Sequence, residues 1–159
     1  MKILVVSDTH GAIFESIIAS LINEKNVDLL IHCGDKYNDV PKLAELLDVK
    51  DYYRVVGNCD YEVRNGEDIL QLVIENKNIL VTHGHLQHVK DGLDNLKNLA
   101  QEKSVDIVLY GHTHIAHNEI DNNILYFNPG STILPKAGKA SYGVVEISKD
   151  KITSRIEAV

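Results

Sequence analysis

Apolar residues fall in short, dense runs along most of this chain. Residues 2–7, 29–33, 52–56, 79–82 and 107–110 are brief stretches rich in Val, Ile and Leu. Runs of that length without polar alternation predict buried strands. Between them the apolar spacing changes to the helical period. Ile13, Ile17, Ile18, Leu21 and Ile22 share one helical stripe. Asp39 is placed to cap a helix with Pro41 in its first turn and Leu43, Leu46 and Leu47 facing inward. Asp91 is placed to cap another, carrying Leu93, Leu96, Leu99 and Ala100. Strand, helix, strand in this order predicts α/β units.

The last third changes character. Residues 115–120 and 124–128 flank Asn122-Asn123, and 143–147 and 152–156 flank Lys149-Asp150-Lys151. Both read as hairpins, and 70–74 faces 79–82 across 75–78 in the same way. Antiparallel hairpins are therefore expected beside the crossover units. With no linker and no internal repeat, one domain over residues 1–159 is expected.

Composition narrows the class. A chain of 159 residues, 44% hydrophobic and 25% charged, has material for a sizeable core without disulfide staples. No apolar run is long enough for a membrane span or a signal peptide's apolar segment. Two cysteines, Cys33 and Cys59, fit a reducing, cytoplasmic setting better than a disulfide framework. A net charge of −7 argues against long nucleic acid as a partner, since such binding needs a basic face.

The candidate chemistry lies where each apolar run ends. The first ends in Asp8-Thr9-His10, the second in Gly34-Asp35, and the third in Gly57-Asn58-Cys59-Asp60. The fourth ends in His83-Gly84-His85 and the fifth in Gly111-His112-Thr113-His114. In open α/β sheets ligands bind outside the carboxyl ends of the strands. Two Asp, one Asn and four His make a mixed oxygen and nitrogen donor set suited to two metal ions. If Asp8 and Asp35 are the only anionic ligands, two divalent ions leave a local excess of about +2. Such a pocket attracts phosphate even in an acidic protein.

This order of motifs, D-x-H, G-D, G-N-C-D, H-G-H and G-H-x-H, resembles the calcineurin-like metallophosphoesterase superfamily. The short length and the G-N-C-D form are similar to its small bacterial and archaeal phosphodiesterases, the YfcE-like group. The resemblance runs from Asp8 to His114 and takes in Asn128-Pro129-Gly130-Ser131. It implies an α/β, four-layer metallophosphoesterase sandwich, two mixed β-sheets flanked by helices. It further implies Asp8, His10 and His114 on one metal, Asn58, His83 and His112 on the other, and Asp35 bridging. Two divalent transition-metal ions follow, manganese first, with nickel, cobalt, iron or zinc as alternatives, because four imidazoles suit hard cations poorly. Ions about 4 Å apart generate hydroxide near neutral pH and clamp the phosphoryl oxygens during displacement. The implied activity is hydrolysis of small phosphodiesters by a metal-bridging hydroxide. Asn58, Cys59, Asp60 and His85 are the candidate catalytic groups around it.

Many relatives carry His where this chain has Cys59, so a weaker proton donor is expected there. His85 is the substitute donor, or else a partner that orients a ligand histidine. Isolated Asp and His residues are more often caps or turns, and only the ordered set points to metal. His32 reads as a core histidine, His88 and His117 as rim positions, and Cys33 as a small packed hydrophobe. Arg64 reads as a surface arginine, and residues 128–131 as a tight turn under the centre. Two rivals stand beside the diesterase: a phosphomonoesterase using the same site, and a non-catalytic scaffold resembling the retromer subunit of this fold. Self-association through an exposed hairpin edge is a further expectation.

Overall fold

A computed structural model describes all residues except 13–19, 22 and 150. Five strands form one mixed sheet. They are β1 (Lys2–Val6), β2 (Leu29–His32), β3 (Asp51–Arg54), β9 (Ser141–Ser148) and β10 (Lys151–Ala158), in the order β10-β9-β1-β2-β3. The second sheet runs β4-β5-β6-β8-β7, from β4 (Ile69–Ile74), β5 (Lys77–Thr82), β6 (Ile107–Leu109), β7 (His117–Asp121) and β8 (Ile124–Asn128). Parallel pairing joins β1 to β2 to β3 and β5 to β6 to β8, and the hairpins add the antiparallel edges.

The apolar runs lack alternation because the central strands are covered on both faces. Ile3, Val5 and Ile31 of the first sheet meet Ile79, Val81, Leu109 and Phe127 of the second in one buried cluster. Leu4, Val6 and Leu30 point the other way and pack on helix α1 (Val40–Leu46). On the far side, Leu80 and Val108 pack on Leu96 and Ala100 of helix α2 (Asp94–Glu102). Helix, sheet, sheet, helix is the four-layer arrangement that the motif resemblance implies.

Of the expected helical stripe only Leu21 lies inside the described residues, with Ile13, Ile17, Ile18 and Ile22 outside them, and Leu21 is buried against Leu4 and Val6. The other two helices depart in detail. A 3-10 turn at Tyr37–Asp39 runs into α1, so Asp39 is already helical and makes no side-chain cap bond. The buried stripe of α1 is Val40, Leu43 and Ala44, with the half-buried Leu47 just past its end on the same side, which leaves Leu46 off it and 40% exposed. Helix α2 is capped by Leu93 rather than Asp91, because Asp91 closes a turn onto the His88 carbonyl and Gly92 follows at φ 140°. Two of the hairpins close on paired left-handed residues, Glu75-Asn76 and Asn122-Asn123, as two-residue turns require; Asp150 of the third expected turn lies outside the described residues.

The consequence for function is geometric. Strands β1, β2, β3, β5 and β6 run parallel within their sheets and release their loops at their carboxyl ends. Those loops bear every candidate ligand.

Candidate metal centre

Five of the seven candidate ligands sit on left-handed backbone: Asp8 (φ 55°), His10 (47°), Asp35 (58°), His112 (68°) and His114 (57°). Non-glycine residues adopt that region rarely, and clusters of them mark sites where the fold imposes a geometry. Glycine makes room for the carboxylates. A Cβ at Gly57 would coincide with the Asp35 carboxylate, and one at Gly111 would meet Ser7 and Asp8.

The ligand atoms of Asp8, His10, Asp35 and His114 all lie within 4.8 Å of one another. His114 donates Nδ1–H to the Leu134 carbonyl (2.7 Å), which leaves Nε2 of the neutral ring as a lone pair. That nitrogen faces Asp8 Oδ1 at 3.0 Å and His10 Nε2 at 3.2 Å. Acceptors pointed at one another repel unless a proton or a cation lies among them. The Asp8 Oδ1 atom is buried, and no donor aligns with it among the described residues. The other Asp8 oxygen is engaged by the Ser7 hydroxyl and the His112 N–H.

A second group repeats the pattern. His83 donates Nδ1–H to the Cys33 carbonyl (2.7 Å) and turns Nε2 toward Asn58 Oδ1 (3.1 Å), His112 Nδ1 (3.2 Å) and Asp35 Oδ2 (3.5 Å). Two donors bound about 2.1 Å from one ion at ordinary coordination angles lie about 3.0–3.4 Å apart. Asp35 belongs to both groups, since its Oδ2 is also 3.8 Å from His10 Nε2. The residues present therefore fit a divalent cation, and Asp35 reaches both groups of donors.

Charge within the centre agrees. Burial alone would raise the Asp8 carboxyl, but the His114 and His83 imidazoles hold it below its ordinary value. Asp35 is likewise held well below the carboxylate range, chiefly by His83 working against burial. The Asp8 carboxylate raises His114, while burial and the His83 charge push His112 down to about 4. In each case the carboxylates stay anionic and demand positive charge.

The candidate catalytic residues separate into different places. Asn58 is exposed, with its oxygen on His83 and its amide nitrogen donating to Cys59 Sγ (3.4 Å). The Cys59 N–H donates to Asp35 Oδ1 (2.8 Å), and burial followed by Asp35 pushes its thiol up to about 11. His85 is half-buried beside His83, its Nδ1 without a partner among the described residues, and burial lowers its pKa. Asp60 lies behind the centre. Its two oxygens accept the N–H groups of Asp35 (3.1 Å), Gly57 (2.8 Å) and Tyr37 (2.8 Å), so it ties two ligand loops together.

Other histidines take the quieter positions. His32 is fully buried, bonded to Thr9 and to the Gly34 N–H, and burial pushes it down to about 4. His88 is exposed, and His117 accepts the Tyr110 hydroxyl at 2.8 Å. Arg64 is exposed. The 128–131 turn is structural support: Asn128 donates to the Gly111 carbonyl, and the Ser131 hydroxyl donates to the Asp8 carbonyl. Sequence reasoning missed the Leu134 and Cys33 carbonyls that orient the ligand histidines. Any residue type can supply a carbonyl, so no sequence signal marks them.

A model of the calcineurin-like phosphoesterase superfamily domain matches residues 1–150. Over 156 residues the chain is 37% identical to the probable metallophosphoesterase YsnB of Bacillus subtilis, covering 98% of this chain and 89% of that protein. It is 33% identical over 171 residues to phosphodiesterase YfcE of Escherichia coli, covering 92% and 88% of the two chains. Among solved structures, wild-type Vps29 of Entamoeba histolytica complexed with Zn²⁺ superposes with a TM-score of 0.82 over 100% of this chain and 98% of its own. At 21% identity that likeness is one of fold alone.

Proposed function

Because this chain belongs to the calcineurin-like phosphoesterase superfamily, we propose that it is a metal-dependent hydrolase of small phosphodiesters, built as a single metallophosphoesterase domain over residues 1–159. Asp8, His10 and His114 would hold one divalent ion, Asn58, His83 and His112 the other, with Asp35 shared. When bound, such ions lower the pKa of coordinated water and neutralise charge on the phosphoryl oxygens. The observation that carries the reading is the convergence of carboxylate and imidazole ligand atoms around Asp8, Asp35, His83 and His114.

The protein's own groups do the rest. The Cys33 and Leu134 carbonyls fix His83 and His114 in the tautomer that turns Nε2 inward. The Asn58 amide nitrogen, exposed at the mouth, can donate to a phosphoryl oxygen. Cys59 stays a protonated thiol at neutral pH and is a poor acid, so substrates with good leaving groups are favoured. His85, neutral there, offers a hydrogen bond at the rim on the side of His83. Asp60 keeps Asp35 and Asn58 in register.

Relatives named phosphodiesterase favour the diester over the monoester. No described helix is long and apolar enough to cross a membrane. The finer parts of the proposal are manganese as the first metal, a cytoplasmic setting, no long nucleic acid, and self-association through a sheet edge. A Vps29 structure holds zinc, so metal binding by itself does not separate an enzyme from the scaffold alternative. Turnover does. Chelator-stripped protein should be reloaded separately with Mn, Ni, Co, Zn and Mg, then assayed on bis-p-nitrophenyl phosphate beside p-nitrophenyl phosphate. Metal-dependent diester cleavage, lost in Asp35→Asn, is the expected result. Dominant monoester cleavage would overturn the diester assignment, and inactivity with metal bound would favour the scaffold.

A further inference from the structure

A cavity of about 210 Å³ lies between the two histidine-bearing loops of the second sheet, outside the metal centre. Its lining includes Val89, Leu93, Tyr110, Thr113, Ile115 and His117. One sequence adjacency and one contact tie it to the centre. Thr113 stands between the ligand histidines 112 and 114, one residue from each. Val89 packs directly over Gly84, between His83 and His85, where an added Cβ would press on its methyl groups. The cavity therefore borders the side of the centre that His83 and His112 occupy.

Its chemistry is apolar by satisfaction. The Tyr110 hydroxyl is spent on His117 (2.8 Å), and His117 in turn pairs with Glu119 (3.2 Å). The Thr113 hydroxyl accepts from Asn128 (3.0 Å) and donates to the Ile115 carbonyl (3.3 Å). Side-chain hydrogen bonding along this wall is thus met within the protein. What remains for an occupant is the surface of Leu93 and Ile115, the latter 44% exposed, beside the buried Val89. A sugar or another hydroxyl-rich group would lose water there without gaining partners. An alkyl or aryl group loses nothing and gains burial.

We propose that this cavity binds the apolar ester arm of the substrate, so that the preferred phosphodiester carries an alkyl or aryl group beside the metal centre. This rests on the hydrolase reading and names the substrate class of the same site. Thr113 lies in the cavity wall one residue from His112, so an arm leaving a phosphoryl group held near His112 meets that wall.

The test uses two series on the manganese-loaded protein. The first is hydrolysis of methyl, butyl and hexyl p-nitrophenyl phosphates, which share one leaving group. The second is binding of methyl-, butyl- and hexylphosphonate by calorimetry, which needs no turnover. Each methylene buried should raise kcat/KM and binding about twofold, below the roughly fourfold of complete transfer to an apolar phase. Ile115→Ser, at an exposed position, should flatten both gradients while leaving the methyl compounds unchanged. Leu93→Trp, which fills the cavity, should do the same if Ile115→Ser proves insensitive. Flat series in active wild-type protein would overturn the subsite and leave the hydrolase standing. A chain-length gradient in phosphonate binding by a protein that hydrolyses no ester would uphold the subsite and overturn the hydrolase.

Discussion

Asp60 separates a residue that performs chemistry from one that holds it in place. Its carboxylate accepts three backbone N–H groups, two on Oδ2 from Asp35 and Gly57 and one on Oδ1 from Tyr37. Hydrogen bonds to a charged acceptor contribute about 1.5–3 kcal/mol each, and they do not add fully when they share one group. Asp60→Asn keeps one oxygen for Asp35 and Gly57, but sets an amide NH₂ against the Tyr37 N–H, donor to donor. The expected loss is about 2 kcal/mol, which for a chain of 159 residues lowers Tm by roughly 4–8 °C. Because Asp35 is the shared ligand, loosening its loop should also weaken metal binding about 10- to 100-fold. Urea unfolding in chelator measures the first effect and manganese titration calorimetry the second. With saturating manganese most of kcat should return, since no group that touches substrate has been removed. A variant of unchanged stability and metal affinity, but with kcat down a hundredfold at saturating metal, would refute this reasoning and put Asp60 on the substrate.

Gly57→Ala should abolish manganese binding by calorimetry, because the new methyl occupies the place of the Asp35 carboxylate; retained binding would show that the loop can retreat. Cys59→His should raise turnover up to about tenfold, more for alkoxide than for nitrophenolate leaving groups, since an imidazole is a far better donor than a thiol pushed up to about 11. Equal rates in metal-matched protein would exclude that account. Manganese at a hundred times its Kd should stabilise the protein by about 2.7 kcal/mol, and a melting curve of Asp8→Asn should show no such shift. At Glu24, burial raises the carboxyl but Lys2 (2.8 Å) and Arg155 (2.7 Å) outweigh it and hold it below its ordinary value. A depressed carboxyl contributes stability above its unfolded pKa and loses it as pH falls through the folded one. Glu24→Gln should therefore be about 1 kcal/mol less stable at pH 7 in urea, and the gap should close toward pH 3.

Much of the centre was legible because the chemistry sits at fixed places in a simple pattern. Each parallel strand is a short apolar run, and the polar residues that follow it must lie at the carboxyl edge. What escaped the sequence has physical reasons. Strand β9 enters the first sheet beside β1 by pairing residue 145 with Ile3 across nearly the whole chain, and local periodicity carries no trace of a long-range pairing. Helix α2 begins late because a left-handed His88 and the turn behind it consume the residues up to Gly92. Leu46 is apolar yet off its stripe, and composition cannot distinguish it from Leu43 or Leu47. Asp60 stands in a motif full of chemical residues, but only coordinates show that both its oxygens are taken by backbone. The roles of the Cys33 and Leu134 carbonyls depend on backbone position, not side-chain identity.

Left-handed backbone at five ligand positions explains why the loops need so much support. Each such residue costs on the order of 1 kcal/mol in an isolated peptide, and the facing acceptors add repulsion to that strain. A surface loop would relax. Here the first three loops leave strands buried on both faces or locked by Asp60, and the Ser131 hydroxyl holds the Asp8 carbonyl from below. Gly57 and Gly111 let the carboxylates approach closer than any side chain there would permit. The buried sheets thus hold carboxylates and imidazoles in a preset cluster, and in the proposed metalloenzyme a bound cation would relieve the repulsion among them. In that proposal the coupling would favour ions that tolerate imidazole in a preset geometry over hard cations that reorganise their own shell. It also places the ligand atoms before substrate arrives, so binding energy from the ester arm need not be spent on assembling the site.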